Sequence, residues 1–132
     1  MGVVRQAYQL FAKPDGLPLL VNDLATPDFL VDFSAIYPDT PVLSAKEFLR
    51  VRDTFPWGGT LSFEPEEFLE VDEDHVLVLV RVRGVGQASG VPVENRSAHL
   101  FTLCDGRLSR IKVYGDHAAA FDAIGWSERR SS

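Results

Sequence analysis

The chain is poor in the side chains that most often make metal sites or covalent intermediates: one cysteine, one methionine and three histidines among 132 residues. A lone Cys104 excludes an intrachain disulfide and fits a reducing compartment. It has no base beside it in sequence, which speaks against a nucleophile. His75, His99 and His117 lack the paired spacing of metal ligands, so no metal is expected. The glycines of "GVGQASG" have the spacing GxGxxxG and lie between strands, which is not a dinucleotide fingerprint. Positive charge is scarce: 13 Lys and Arg against 19 Asp and Glu leave a formal charge of −6. Without a basic field to attract phosphate, neither nucleic acid nor an anionic membrane is an expected partner. Long hydrophobic runs are absent, the longest being Val76 to Val80, too short to span a bilayer. The start "MGVVRQAYQLF" has neither an apolar signal core nor a cleavage site, and Gln6 breaks the myristoylation pattern. The expectation is a cytoplasmic protein.

An apolar share of 45% and a charged share of 24% are those of an ordinary globular protein. The length fits one domain over residues 1–132, with 127–132 as a frayed tail. Val3, Val4, Ala7, Tyr8 and Phe11 recur at helical spacing until "KPDG" ends the helix. A short helix follows from Leu17 to Leu24, with Pro18 in its first turn. "DFLVDF" reads as a strand entered after Thr26 and Pro27. Ser44 and Glu47 then form a capping box at the head of "AKEFLRV", with Leu43 stapled onto Phe48.

From Gly58 the pattern changes to strands. Pro65 interrupts "TLSFEPEEFLEV" and predicts a bulge or an edge. In "HVLVLVRVRG" the valines 76, 78, 80 and 82 share one face, and Leu77, Leu79, Arg81 and Arg83 the other. "VPVENRSAHLFTL" and "RLSRIKVY" are joined by the hairpin signal Asp105-Gly106. Asp116 and Gly125 are the N-cap and stop of a last short helix. Helices segregated from strands give an α+β class. The expected architecture is a cone-shaped α+β barrel, its curved mixed or antiparallel sheet wrapped around the N-terminal helices with a cavity between.

Residues 76–125 carry a resemblance. A strand runs into a glycine-rich loop, then come "SGVPVE", "SAHLF", "DGRL", and an aromatic-bearing strand leading to Asp116 and "AIG". This stretch resembles the SnoaL-like polyketide cyclases within the nuclear transport factor 2-like superfamily, which also holds the ketosteroid isomerases. The first seventy or so residues match only in element order and in the "SAKEFL" helix. The resemblance places His99 where the isomerases carry the acid that bonds the developing oxyanion, and Asp116 where the cyclases carry their general base. Tyr8 mirrors the isomerases' first-helix tyrosine. Asp32 and Phe33 are nearest to the isomerase base, with Phe33 aligned to it. Epoxide hydrolases of the fold need Arg and Asp two apart on one strand, whereas Arg96 is followed by Ala98.

The favoured function is therefore cofactor-free acid–base chemistry, of cyclase or isomerase type, on a ring-bearing or polyketide-like molecule in an apolar pocket. Such reactions remove a proton beside a carbonyl and need a donor for the enolate oxygen. Asp116 would be the base and His99 the proton partner, with Tyr8, Asp32, Phe33, Trp57, Phe101 and Val113 lining the site. Structural readings stand beside these: Asp116 suffices as a helix cap, and His99 as a hydrogen-bonded core group. His117, at a helix start, is expected to face solvent. The alternatives are a non-catalytic binding or dimerisation module, and an epoxide or ester hydrolase. Leu77, Leu79, Leu100 and Tyr114 among the polar groups of the outer sheet face predict a homodimer through that face.

Overall fold

The computed structural model describes residues 2–11, 16–36, 39, 42–51, 62–85 and 92–125. Trp57, the 127–132 tail and most of the glycine-rich loop lie outside them. Two helices open the chain, α1 (Gly2–Phe11) and α2 (Gly16–Asp23). Strands β1 (Ala25–Asp32) and β2 (Leu43–Ser44) follow, then helix α3 (Ala45–Val51). Four long strands come next: β3 (Ser62–Asp72), β4 (His75–Val85), β5 (Pro92–Cys104) and β6 (Arg107–Tyr114), closed by helix α4 (His117–Ile124). The class is α+β, with one curved sheet of six strands in the order β2-β1-β6-β5-β4-β3.

Consecutive strands from β3 to β6 pair antiparallel as a meander. β1 alone runs parallel, against β6, so the sheet is mixed. β1 begins earlier than the sequence reading placed it, so Thr26 and Pro27 lie inside the strand. A register break between Ala25 and Leu30 accommodates them. Pro65 sits on β3, an edge strand, next to a bulge between Pro65 and Glu67. Proline has no N–H to give a ladder, and here it occupies the place where least is lost. The β5–β6 turn has Asp105 at φ 52° and Gly106 at φ 79°, the paired left-handed residues of a tight hairpin. The capping box forms as expected, Glu47 N–H donating to Ser44 Oγ at 3.2 Å and Ser44 N–H to Glu47 Oε1 at 3.1 Å.

The sheet has apolar groups on both faces. Val76, Val78, Val80 and Phe101 join Val4, Ala7, Tyr8 and Leu20 of the first two helices in the main core. On the outer face Leu77, Leu79, Ala98 and Tyr114 pack with Ala120 and Phe121 of α4. This corrects the reasoning for a homodimer. Leu77, Leu79 and Tyr114 are buried within the chain, because its own last helix covers them. Beyond α4 the same face carries opposite charges in one network. Arg81 pairs with Glu66 and Glu94, Arg83 with Glu64 and Glu94, and Arg96 with Glu66. Among the described residues no helix is long and apolar enough to cross a membrane.

Candidate functional site

Strand alternation decides what His99 faces. It pairs with Val78 on one side and Val113 on the other, and Phe101 pairs with Val76 and Ile111. All but His99 belong to the main core or pack against it, so the imidazole is on the inner face. From the other side α1 brings Tyr8. Val4, Ala7 and Tyr8 are its buried stripe, while Gly2, Arg5, Gln6 and Gln9 are exposed, a one-sided helix docked on the sheet. Tyr8 Oη and His99 Nδ1 share a buried hydrogen bond of 2.8 Å, and the ring planes are parallel to within 3°.

Aromatic rings surround this pair. Phe63 lies 5.5 Å from the His99 centroid and Phe101 6.3 Å. Phe101 and Phe68 meet the Tyr8 ring edge-on at 5.7 and 5.9 Å. Arg5 lies over the far ring, its Cζ 4.2 Å from the Phe68 centroid. Low polarity around both groups penalises their charged forms. Burial lowers the His99 pKa to about 4 and raises that of Tyr8 well above its ordinary value. Near neutral pH the pair is an uncharged imidazole bonded to an uncharged phenol.

Several expected residues come together here. Tyr8 bonds His99, Phe101 is the next inward position on β5, and Val113 is its neighbour on β6. Phe33 follows the Asp32↔Lys112 pairing, packs against the core and stacks on Phe48 at 5.8 Å.

Asp32 is a correction. Phe29 and Val31 belong to the inner core, so alternation sends Asp32 to the outer face. There it is 2% exposed and ion-paired with Arg110. Burial raises its pKa, but hydrogen bonds from the Ser34 side chain and backbone and from Arg110 outweigh that and bring it to about 2. Asp32 ties β1 to β6 and does not line the inner face.

Asp116 is not brought to His99. It is exposed, and its carboxylate accepts from Ala119 N–H at 2.7 Å as the N-cap of α4, on the opposite side of the sheet. His117 is half-buried where exposure was expected, because α4 lies down on the sheet. Its Nε2 has no partner among the described residues. Among those residues no group of three His, Cys, Asp or Glu is placed to hold a metal ion.

The sequence reading missed Phe63 and Phe68. Five positions apart, they belong on opposite faces of a regular strand. The bulge after Pro65 restores the phase, so Phe63 pairs with Val82 and Phe68 with Val78, both on the inner face. Pro65 was the available signal.

This combination, a curved sheet with helices on its inner face, matches solved structures over nearly the whole chain. A nuclear transport factor 2-like protein from Burkholderia pseudomallei K96243 aligns with a TM-score of 0.72 and 22% identity, over 94% of this chain and 95% of that one. The fold is nuclear transport factor 2-like. A protein from Jannaschia sp. CCS1 assigned to the SnoaL-like polyketide cyclases shares it, with a TM-score of 0.68 and 20% identity over 92% of this chain and 90% of that one. So does TerC, co-crystallised with polyporic acid, at 0.71 and 22% over 94% and 96%. No family model matches the sequence, and no curated protein does. At these identities a nuclear transport factor 2-like likeness speaks for the fold, and chemistry has to be argued from the residues.

Proposed function

We propose that the chain binds a small, ring-bearing, largely apolar molecule against the inner sheet face and promotes cofactor-free enolisation there, as a cyclase or isomerase would. The observation that carries this reading is the buried Tyr8–His99 hydrogen bond inside a ring of aromatic side chains. An apolar wall with one polar point is the usual make-up of a small-molecule site. TerC with its polyporic acid supports the ligand class. In this reading His99 donates its N–H to the ligand's carbonyl oxygen with Tyr8 behind it, so that the proton beside the carbonyl leaves more readily to solvent and is returned from solvent.

A second reading, binding without chemistry, is favoured by one observation. Among the described residues no carboxylate bonds to His99, and burial is the sole cause of its lowered pKa. The pair offers a hydrogen bond but no base for a carbon acid, since Asp116 is engaged as a cap.

One probe separates the two. 1-Tetralone, a ring ketone with exchangeable hydrogens beside its carbonyl, is titrated calorimetrically and then incubated in deuterated buffer. The enzyme reading expects binding, and deuterium entering next to the carbonyl faster than in buffer alone. His99→Ala is expected to weaken binding about 5- to 100-fold, as for a lost buried hydrogen bond. Binding without accelerated exchange favours the second reading. No binding by this or by other ring ketones overturns both.

A further inference from the structure

Resting on that ligand site, we infer that Tyr8 is a positioning residue. Its O–H donates to His99 Nδ1 and keeps the imidazole proton on Nε2, so that His99 meets its ligand as a neutral donor to a carbonyl or enol oxygen.

The argument starts from the 2.8 Å contact between Oη and Nδ1. An uncharged pair can share that bond in two directions, because either group can donate. The chemistry of the two groups is unequal. A phenol gives up its proton far more readily than a neutral imidazole does, and an imidazole nitrogen accepts far better than a phenol oxygen. The favoured direction is therefore O–H to Nδ1. A neutral imidazole has one N–H, so Nε2 must carry it. The alternative, with the proton on Nδ1, would set two weaker partners against each other in a buried place where one hydrogen bond counts most.

The surroundings keep the pair uncharged. Among the described residues, the groups packed around His99 are Tyr8 from α1, Phe63 from β3, Val78 from β4, Phe101 from β5 and Val113 from β6. None of these carries a charge at neutral pH. Arg5 lies over Phe68, with that ring between it and Tyr8. Burial opposes imidazolium and phenolate alike. The outcome is specificity by donor direction. An N–H aimed at the ligand bonds a carbonyl or enol oxygen and leaves an ammonium or hydroxyl donor without a partner.

The test uses the ligand-free chain of residues 1–132, labelled with nitrogen-15. Long-range proton–nitrogen correlation spectra at pH 7 report which ring nitrogen of His99 is protonated. The expected spectrum has Nε2 protonated and Nδ1 bare, with Tyr8→Phe moving both nitrogens toward a tautomer mixture. Protonated Nδ1 in the unaltered chain overturns the assignment, and so does an unchanged spectrum in Tyr8→Phe. The unaltered chain decides the tautomer even if that variant misfolds. His99→Asn keeps an acceptor for Tyr8 but removes the distal donor, and a loss of tenfold or more in 1-tetralone affinity is expected. Undiminished affinity in a folded His99→Asn chain overturns the donor role. Failure of the unaltered chain to bind the ketone counts against the ligand site alone, since the spectrum does not depend on it.

Discussion

His99 is a titratable group held where taking up a proton is costly. Unfolded, it titrates near 6.5; folded, burial lowers this to about 4. Between those values the unfolded chain binds a proton that the folded chain refuses, so stability falls as the pH drops through that window and levels off below it. The loss amounts to at most about 3 kcal/mol. Urea unfolding of the unaltered chain and of His99→Asn across pH 7 to 4 should show the difference between them narrowing by most of that amount. A constant difference would mean that the imidazole is not desolvated. At this scale the sequence was informative where alternation or helical period fixed a direction. Tyr8 falls on the buried stripe of α1, and His99 shares a face with Phe101. It misled at Asp32, where chain position put the carboxylate near the site and strand parity, once β1 was in register, turned it to the other face. It was ambiguous at Asp116, where one side chain satisfies two roles until geometry commits it to the cap.

β1 is joined to β6 by backbone pairing and by the Asp32–Arg110 ion pair. The carboxylate is buried while the guanidinium side chain is 42% exposed, so solvent screens part of their attraction. Arg110→Met leaves the carboxylate with its Ser34 contacts alone and is expected to cost about 2 kcal/mol at neutral pH. The Asp32 pKa is lowered, so its contribution is present above about 4 and is lost as the pH falls to about 2. Thermal unfolding of the two proteins should converge over that range. Element types followed from local chemistry: the capping box, the Asp-Gly turn and the alternating β4 each formed where their residues indicated. The phase shift in β3 and the docking of α4 were not legible in the same way. A bulge announces itself through Pro65 without saying which residues it re-aims. A short apolar helix does not declare which sheet face it will cover.

At the scale of the molecule, element order was enough to anticipate a curved sheet around helices, because few architectures accept that order. The outer face was less legible, for lack of one contact. Its leucines needed a cover, and α4 of the same chain supplies it.

The parallel pairing of β1 with β6 also orders events in time. Strands β3 to β6 are neighbours in sequence as well as in space, and their hairpins close with short loops. The Tyr8–His99 bond joins positions 91 residues apart, and long closures carry the larger entropic cost. The meander is thus expected to assemble first, with the N-terminal segment docking late. Tyr8→Phe should accordingly speed unfolding and leave the refolding rate nearly unchanged in stopped-flow measurements; slowed refolding would place the contact in the nucleus instead. A protein built in this order would complete the proposed binding face only with the last step of its folding, so occupancy by a ligand would be a report that the whole chain has closed.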